Sequence, residues 1–328
     1  MRVLVTGGCG FIGHHFVEFL IKNTNWQIIV LDKLSYASSG FDRLRDINVF
    51  DDKRVLTIAS AFTKSLSEGV KKEIGSIDYI FHIGAETHVD KSIINAEPFI
   101  LSNILGTMHL LNLAKELKEN LKWLVFLSTD EVLGPAPKEI NFKEDSIYNC
   151  KNPYAASKAG AEQLCIAYEN CYKLPLFIVR SMNAFGERQD VEKFIPSTIR
   201  KVILGETVII HSDSTKTIPG SRFYIHARNI STAIFFLLDK AKAGEIYHIV
   251  GEKEVNNLEL AKFIARVIGK SLKYELIDFH SSRPGHDLRY GLNGEKMYKL
   301  GWRIPIGFEQ SLEKTIKWTL DNRKWIGL

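Results

Sequence analysis

Short apolar runs alternate with amphipathic stretches through the first 180 or so residues of the chain. The runs at 2–6, 27–31, 55–58, 79–83, 123–127 and 176–179 are rich in Val, Ile and Leu and lack a polar alternation. That pattern predicts strands covered on both faces. Between them, apolar positions recur at helical spacing and predict helices over 11–22, 63–73, 98–119 and 153–172. Repeated βα units of this kind make an α/β fold with a doubly wound parallel sheet. After Gly186 the rhythm breaks into longer loops, with short strands at 208–211 and 247–250 and helices over 194–204, 226–240 and 257–268. The change predicts a smaller, mixed α/β C-terminal lobe. The expected division is a first domain over 1–185, completed by about 226–250, and a second lobe from 186–225 and 251–328.

Composition narrows the function classes only a little. At 328 residues, 45% hydrophobic and 25% charged, the chain can bury a large core. No run approaches the roughly 18 apolar residues of a membrane span. The opening MRVLVTGGCGFIG holds too short an apolar run for a signal peptide and reads as a first buried strand. The net charge of +5 is carried by scattered lysines, so neither a nucleic-acid interface nor a membrane surface is expected. Cys9, Cys150, Cys165 and Cys171 show no metal-ligand or disulfide spacing. A reducing, cytoplasmic setting follows, with no metal.

The first strand leads directly into Gly7, Gly10 and Gly13, which open the first helix. One glycine permits a tight turn, one lets the backbone approach a diphosphate, and one lets helix and strand pack closely. The diphosphate then faces free N–H groups at the helix N-terminus. Asp32 ends the second strand, where a carboxylate binds the adenosine ribose hydroxyls and repels the 2′-phosphate of NADP. The expected fold is therefore of the Rossmann type, and the expected cofactor is NAD.

Two further constellations carry chemistry. Tyr154 and Lys158 stand four apart in NPYAASKAGAEQL, on one face of a predicted helix. For tyrosine to act as a base near neutrality its pKa must fall by about 3, roughly 4 kcal/mol. A neighbouring ammonium and the positive nicotinamide ring are expected to supply this. The fifth strand runs into Ser128-Thr129-Asp130-Glu131. Two adjacent carboxylates at a strand mouth are hard to justify as a folding device, because burial and mutual repulsion both raise their energy. They suit an acid and a base whose pKa values are pushed apart.

Together these motifs resemble the extended short-chain dehydrogenase/reductases, and within them the dTDP-glucose 4,6-dehydratase group. The matching segments are DKLSYA (32–37), GAETHVDKSI (84–93), STDEVLG (128–134), NPYAASKA (152–159), EKFIP (192–196) and RPGHDLRY (283–290). The resemblance implies a lyase with tightly bound NAD that turns an NDP-hexose into its 4-keto-6-deoxy derivative and water. In that reading Tyr154, with Thr129 and Lys158, oxidises C4. Glu131 takes the C5 proton while Asp130 protonates the departing 6-hydroxyl. The resemblance adds Phe11, Ile12, Lys33, Ser35 and Ala85 to the cofactor site. It also places Thr87, Thr129, Asn183, Glu192, Lys193, Arg222 and Arg283 on the nucleotide sugar, and it implies a homodimer.

An NDP-sugar 4-epimerase shares Tyr154, Lys158 and the NAD site but needs no acidic pair. A non-catalytic NAD-sensing protein keeps the fold and loses the tyrosine or lysine. The chain also departs from the dehydratase pattern at Asn183-Ala184-Phe185-Gly186, at Arg222-Phe223-Tyr224 and at Leu133. Ala59-Ser60-Ala61-Phe62 lacks the acidic residue expected near the adenine. A small Ala184 and an apolar Phe223 beside the sugar predict room for a bulkier C2 group, which brings UDP-N-acetylglucosamine beside dTDP-glucose and UDP-glucose as substrates. Reprotonation of C5 on the opposite face would add an epimerisation.

Overall fold

The computed structural model describes residues 1–279 and 288–328. Seven strands form the main sheet: β1 (Arg2–Thr6), β2 (Gln27–Asp32), β3 (Val55–Ala59), β4 (Tyr79–His82), β5 (Trp123–Thr129), β6 (Leu176–Ser181) and β10 (Ile246–Ile249). Their order is β10-β6-β5-β4-β1-β2-β3, and every pairing is parallel. Strand order reverses between β1 and β4, so the crevice for a ligand opens at their carboxyl ends. Side chains leave the sheet alternately. Val3 and Val5 of β1 join one apolar layer, whereas Leu4 joins the layer on the opposite face.

Helices Phe11–Asn23, Glu68–Ile74, Gly106–Glu116 and Pro153–Tyr172 lie among the crossovers. The second of these is shorter than its pattern predicts. It begins only at Glu68, where Ser67 Oγ accepts from the Val70 N–H at 3.3 Å, because Phe62 and Leu66 are buried in the core of the preceding loop. The helix expected over 98–119 runs from Glu97 to Glu116 and contains a π turn at Ile100–Leu105. The wider turn leaves the Asn103 side chain buried and turned toward the Tyr154 helix, where its Nδ2 donates to Ser157 Oγ at 2.9 Å. π turns recur at functional sites.

The second lobe is built on β7 (Asn183–Phe185), β9 (Ser221–His226) and β11 (Glu254–Asn256), with a separate parallel pair, β8 (Val208–Ser212) and β12 (Tyr274–Asp278). Helices Phe194–Leu204, Asn257–Ile268 and Phe308–Asp321 close over an apolar cluster that includes Phe185, Ile199, Leu260, Leu312 and Ile316. The last helix is absent from the sequence reading, although Phe308, Leu312, Thr315, Ile316 and Thr319 bury one face. No helix among the described residues is long and apolar enough to cross a membrane.

Behind the Tyr154 helix, Glu162 and Arg180 form a fully buried pair, 2.8 Å between Arg180 Nη2 and Glu162 Oε2. Tyr148 donates to the same carboxylate at 2.8 Å. Removing one member of such a pair leaves an uncompensated charge in the interior. Glu162→Gln is expected to cost about 3–5 kcal/mol, measured as a lower denaturant midpoint.

Candidate active site

The glycine loop is held by backbone contact. Gly7 has φ +68°, and a Cβ there would lie 2.4 Å from Gly84 Cα at the end of β4. A Cβ on Gly13 would lie 2.0 Å from the Gly7 carbonyl oxygen. The helix that follows is capped by Gly10 without any side-chain hydrogen bond, and its first turn holds no acidic residue. Its leading N–H groups therefore form an anion site. Asp32 is buried: Oδ2 accepts from the Cys9 N–H at 3.0 Å, and Oδ1 accepts from the Leu34 N–H at 2.8 Å. Burial raises its pKa, and these two N–H groups oppose the rise.

One cleft is lined by Gly7, Gly10, Phe11, Ile12, Gly13, Asp32, Lys33, Ser35 and Ala85, all the described cofactor residues named from sequence except Tyr154 and Lys158. Lys33 reaches Glu86 at 2.5 Å across its rim. Phe62, Arg43, Ser102, Gln189 and Asp190 also line it, and none of the five is among the cofactor residues expected from sequence. Where an acidic residue was expected, the buried Phe62 ring forms an apolar wall. Arg43 is buried as well and ties loops together, donating to the carbonyls of Ala37 at 2.6 Å and Arg188 at 3.0 Å. Such long-range contacts leave no local signal. Cys9 is a buried filler whose thiol burial pushes up.

A second cleft adjoins the first and shares Thr87, Gln189 and Lys193 with it. Its walls include Glu131, Asn183, Ala184, Glu192 and Arg222, together with His88, Tyr224, Asn257 and Tyr290. Arg222 donates to the carbonyls of Ser221 and Leu288, each at 2.7 Å, and lies 4.8 Å from the Tyr290 ring centre. Glu192 meets His88 Nε2 at 3.1 Å. His88 both lines the cleft and caps the short helix Val89–Ile94, accepting from the Lys91 N–H at 3.4 Å. Arg283 falls outside the described residues.

Phe223 needs a correction. Arg222 and Tyr224 of β9 face this cleft, so the intervening side chain points to the other face of the strand. Phe223 packs there against a cluster containing Leu133, Met182 and Tyr290. It does not line the cleft, and Leu133 is fully buried in that same cluster. Neither departure from the dehydratase pattern touches a ligand space.

Of the acids and the tyrosine, Glu131 lines the second cleft, whereas Asp130 and Tyr154 are buried and line neither cleft. β5 extends through Thr129, and Asp130–Leu133 form a tight 3₁₀ turn. Thr129 Oγ1 donates to Asp130 Oδ1 at 3.0 Å. Among the described residues, Asp130 Oδ2 is buried without a hydrogen-bond partner, as is Asn183 Oδ1. Burial first, and then the neighbouring Glu131 charge, push Asp130 up to about 7. Glu131 Oε2 accepts from Asn152 Nδ2 at 3.0 Å.

The tyrosine–lysine expectation is modified. Lys158 does stand one turn on from Tyr154, yet its Nζ donates to the Leu127 carbonyl at 2.8 Å and sits 4.1 Å from the Phe126 ring centre. Burial lowers it to about 8. Tyr154 is raised well above its ordinary value by burial and then by Glu131, with a hydrogen bond to Thr129 acting the other way. Within the protein alone, then, the phenol is held neutral.

The model of the family described as GDP-mannose 4,6 dehydratase matches residues 4–315. The chain belongs to that family. It is 35% identical to the dTDP-glucose 4,6-dehydratase of Haemophilus influenzae, with 98% of each chain covered. The crystal structure of a dTDP-glucose 4,6-dehydratase from Streptomyces venezuelae, with NAD and TYD bound, superposes with a TM-score of 0.87 at 34% identity, covering 99% of this chain and 98% of that one. The Thermus thermophilus UDP-glucose 4-epimerase, in complex with NAD, gives 0.83 at 27% identity, with 97% and 98% covered. The chain is thus an NDP-sugar dehydratase of the extended short-chain dehydrogenase/reductase superfamily.

The buried Asp130 makes the stability of this family member depend on pH. Between the ordinary aspartate value and about 7, the folded chain keeps the proton and the unfolded chain has lost it. Stability therefore falls as pH rises through that window. Asp130→Asn removes the titration and is expected to raise stability at pH 8 by up to about 4 kcal/mol, with the gain vanishing near pH 4. Thermal unfolding of both proteins across that range is the check.

Proposed function

We propose that the protein converts a nucleoside-diphosphate hexose into the 4-keto-6-deoxy sugar and water, with NAD as its resident cofactor. The glycine-loop amides and the uncapped helix N-terminus would hold the cofactor diphosphate, Asp32 the ribose hydroxyls, and the Phe62 face the adenine. Bound NAD supplies a hydride acceptor for C4 that serves as the hydride donor to C6 in the final step. The substrate diphosphate is assigned to Lys193 and Arg222, since a guanidinium grips phosphate oxygens through two N–H groups.

The residue chemistry then runs in order. Tyr154 takes the 4-hydroxyl proton, helped by Thr129. In the protein alone, burial and Glu131 both oppose ionisation of the phenol, and bound NAD would supply a positive ring that favours it. The new ketone acidifies C5–H. Glu131 removes that proton, the electron pair forms the C5=C6 bond, and the C6–O bond breaks. Asp130 gives its proton to the departing oxygen, which leaves as water, and C5 takes a proton back from Glu131 as C6 receives hydride. A carboxyl that titrates near 7 is still substantially protonated at neutral pH and suits an acid.

The observation that carries the reading is the Thr129-Asp130-Glu131 turn at the mouth of β5, which sets a buried carboxyl next to one that lines the cleft. A 4-epimerase has no use for this acidic pair. For the sugar, the relatives named dTDP-glucose 4,6-dehydratase support glucose. The placement of Phe223 removes one of the two sequence arguments for a bulkier C2 group. The exposed Ile93, Ile94, Ile100 and Leu101 support a homodimer through the helices near 97–116 and 153–172; sedimentation should show twice the chain mass.

Incubation with dTDP-glucose, UDP-glucose and UDP-N-acetylglucosamine in D₂O tests the reaction. Mass spectrometry should show loss of one water and deuterium at C5 with a glucose substrate, fastest of the three. Epimerised product with no water lost would overturn the proposal. Glu131→Gln should block both water loss and deuterium entry by about 100-fold or more, while nicotinamide absorbance still reports oxidation at C4.

A further inference from the structure

Asn152 opens the NPYAASKA segment without a role of its own in the reaction above, yet its side chain touches both halves of the machinery. It is 5% exposed and immediately precedes Pro153, the first residue of the helix that carries Tyr154 and Lys158. Its Oδ1 accepts from the Ala155 N–H at 2.8 Å and caps that helix. Its Nδ2 donates to Glu131 Oε2 at 3.0 Å. One planar amide thus spans the start of the tyrosine helix and the carboxylate on the turn after β5. The amide has a fixed length, so the position of the helix end fixes the position of the carboxylate.

We infer that Asn152 is a positioning residue for the elimination step: it holds the Glu131 carboxylate aimed relative to Tyr154. This rests on the proposed dehydratase chemistry. The cap alone does not explain asparagine. Ser, Asp and Asn cap about equally well, but of these only Asn offers an N–H donor while its oxygen is spent on the helix. A donor on a carboxylate favours the charged form.

The division of labour within one side chain allows the two roles to be separated. Asn152→Asp preserves the cap and suits the helix N-terminus, but it sets a carboxylate against Glu131. Asn152→Ser preserves the cap and removes the amide N–H, leaving only a shorter hydroxyl. Both proteins should fold with an unfolding midpoint near that of the parent. In single-turnover reactions with the sugar nucleotide that the parent turns over, oxidation at C4, followed by nicotinamide absorbance, should proceed at a rate within about twofold of the parent. Water loss and deuterium entry at C5 should slow by about tenfold in the serine protein and about 100-fold in the aspartate protein. The acid limb of the pH profile of elimination should move up by about one pH unit or more in the aspartate protein.

Three outcomes decide the matter. Slowed elimination with intact oxidation and a shifted acid limb supports the inference. Elimination at the parental rate with an unmoved limb in both variants overturns it, and so does a loss of oxidation in step with elimination, which would mean that Asn152 serves only the helix. The reaction assignment fails separately, if the parent protein itself releases no water from any sugar nucleotide.

Discussion

Contact between two glycine backbones governs the geometry at the carboxyl edge of the sheet. Gly7 leaves β1 and Gly84 follows β4, and no side chain fits between them. This is the point at which strand order reverses, so the approach of the two backbones sets how β1 and β4 diverge into the cleft. The same junction is pinned by a buried chain of hydrogen bonds. Thr6 Oγ1 meets His82 Nδ1 at 2.7 Å, and His82 Nε2 meets Thr107 Oγ1 at 2.9 Å. Burial holds His82 far below its ordinary pKa, and thus neutral. A neutral imidazole between two hydroxyls satisfies each group without burying a charge.

The tyrosine helix is fastened to this junction through the π turn. Asn103 Nδ2 donates to Ser157 Oγ and to the Glu86 carbonyl, each at 2.9 Å, while its Oδ1 accepts from the Glu86 N–H at the same distance. The segment 84–87, whose Gly84 and Ala85 line the first cleft and whose Thr87 lines both, is therefore fixed to the helix bearing Tyr154. Asn152 ties the start of that helix to the acidic turn. Two buried asparagines thus bring three loops into one frame, and the satisfied amides specify one arrangement where an apolar contact would permit several.

The parts of this design that were legible in sequence are those with local periodicity. Parallel strands buried on both faces stand out as unbroken Val/Ile/Leu runs, and a strand–glycine–helix sequence has one mechanical meaning. What escaped depends on contacts far apart in the chain. Asn103 and Ser157 are 54 positions apart, and no spacing rule joins them. Phe223 was misread as facing the sugar because its strand is only six residues long within a three-stranded sheet, and its register could not be fixed without the partners. The tyrosine–lysine pair shows a different limit. Helical spacing places two side chains on one face, but a carbonyl on β5 competes for the lysine and takes it.

The same competition explains why the acids can differ although they are adjacent. Asp130 is buried, with one oxygen bonded to Thr129 and the other without a partner among the described residues. Glu131 borders the cleft and receives an amide N–H. One side chain is thereby placed where the neutral form is favoured, and the next where the charged form has a donor. A tight turn is what makes this possible, because it turns consecutive side chains toward different surroundings within 1 residue of chain. Had β5 simply continued, the two would have faced opposite sides of the sheet, and no single sugar ring could have met both.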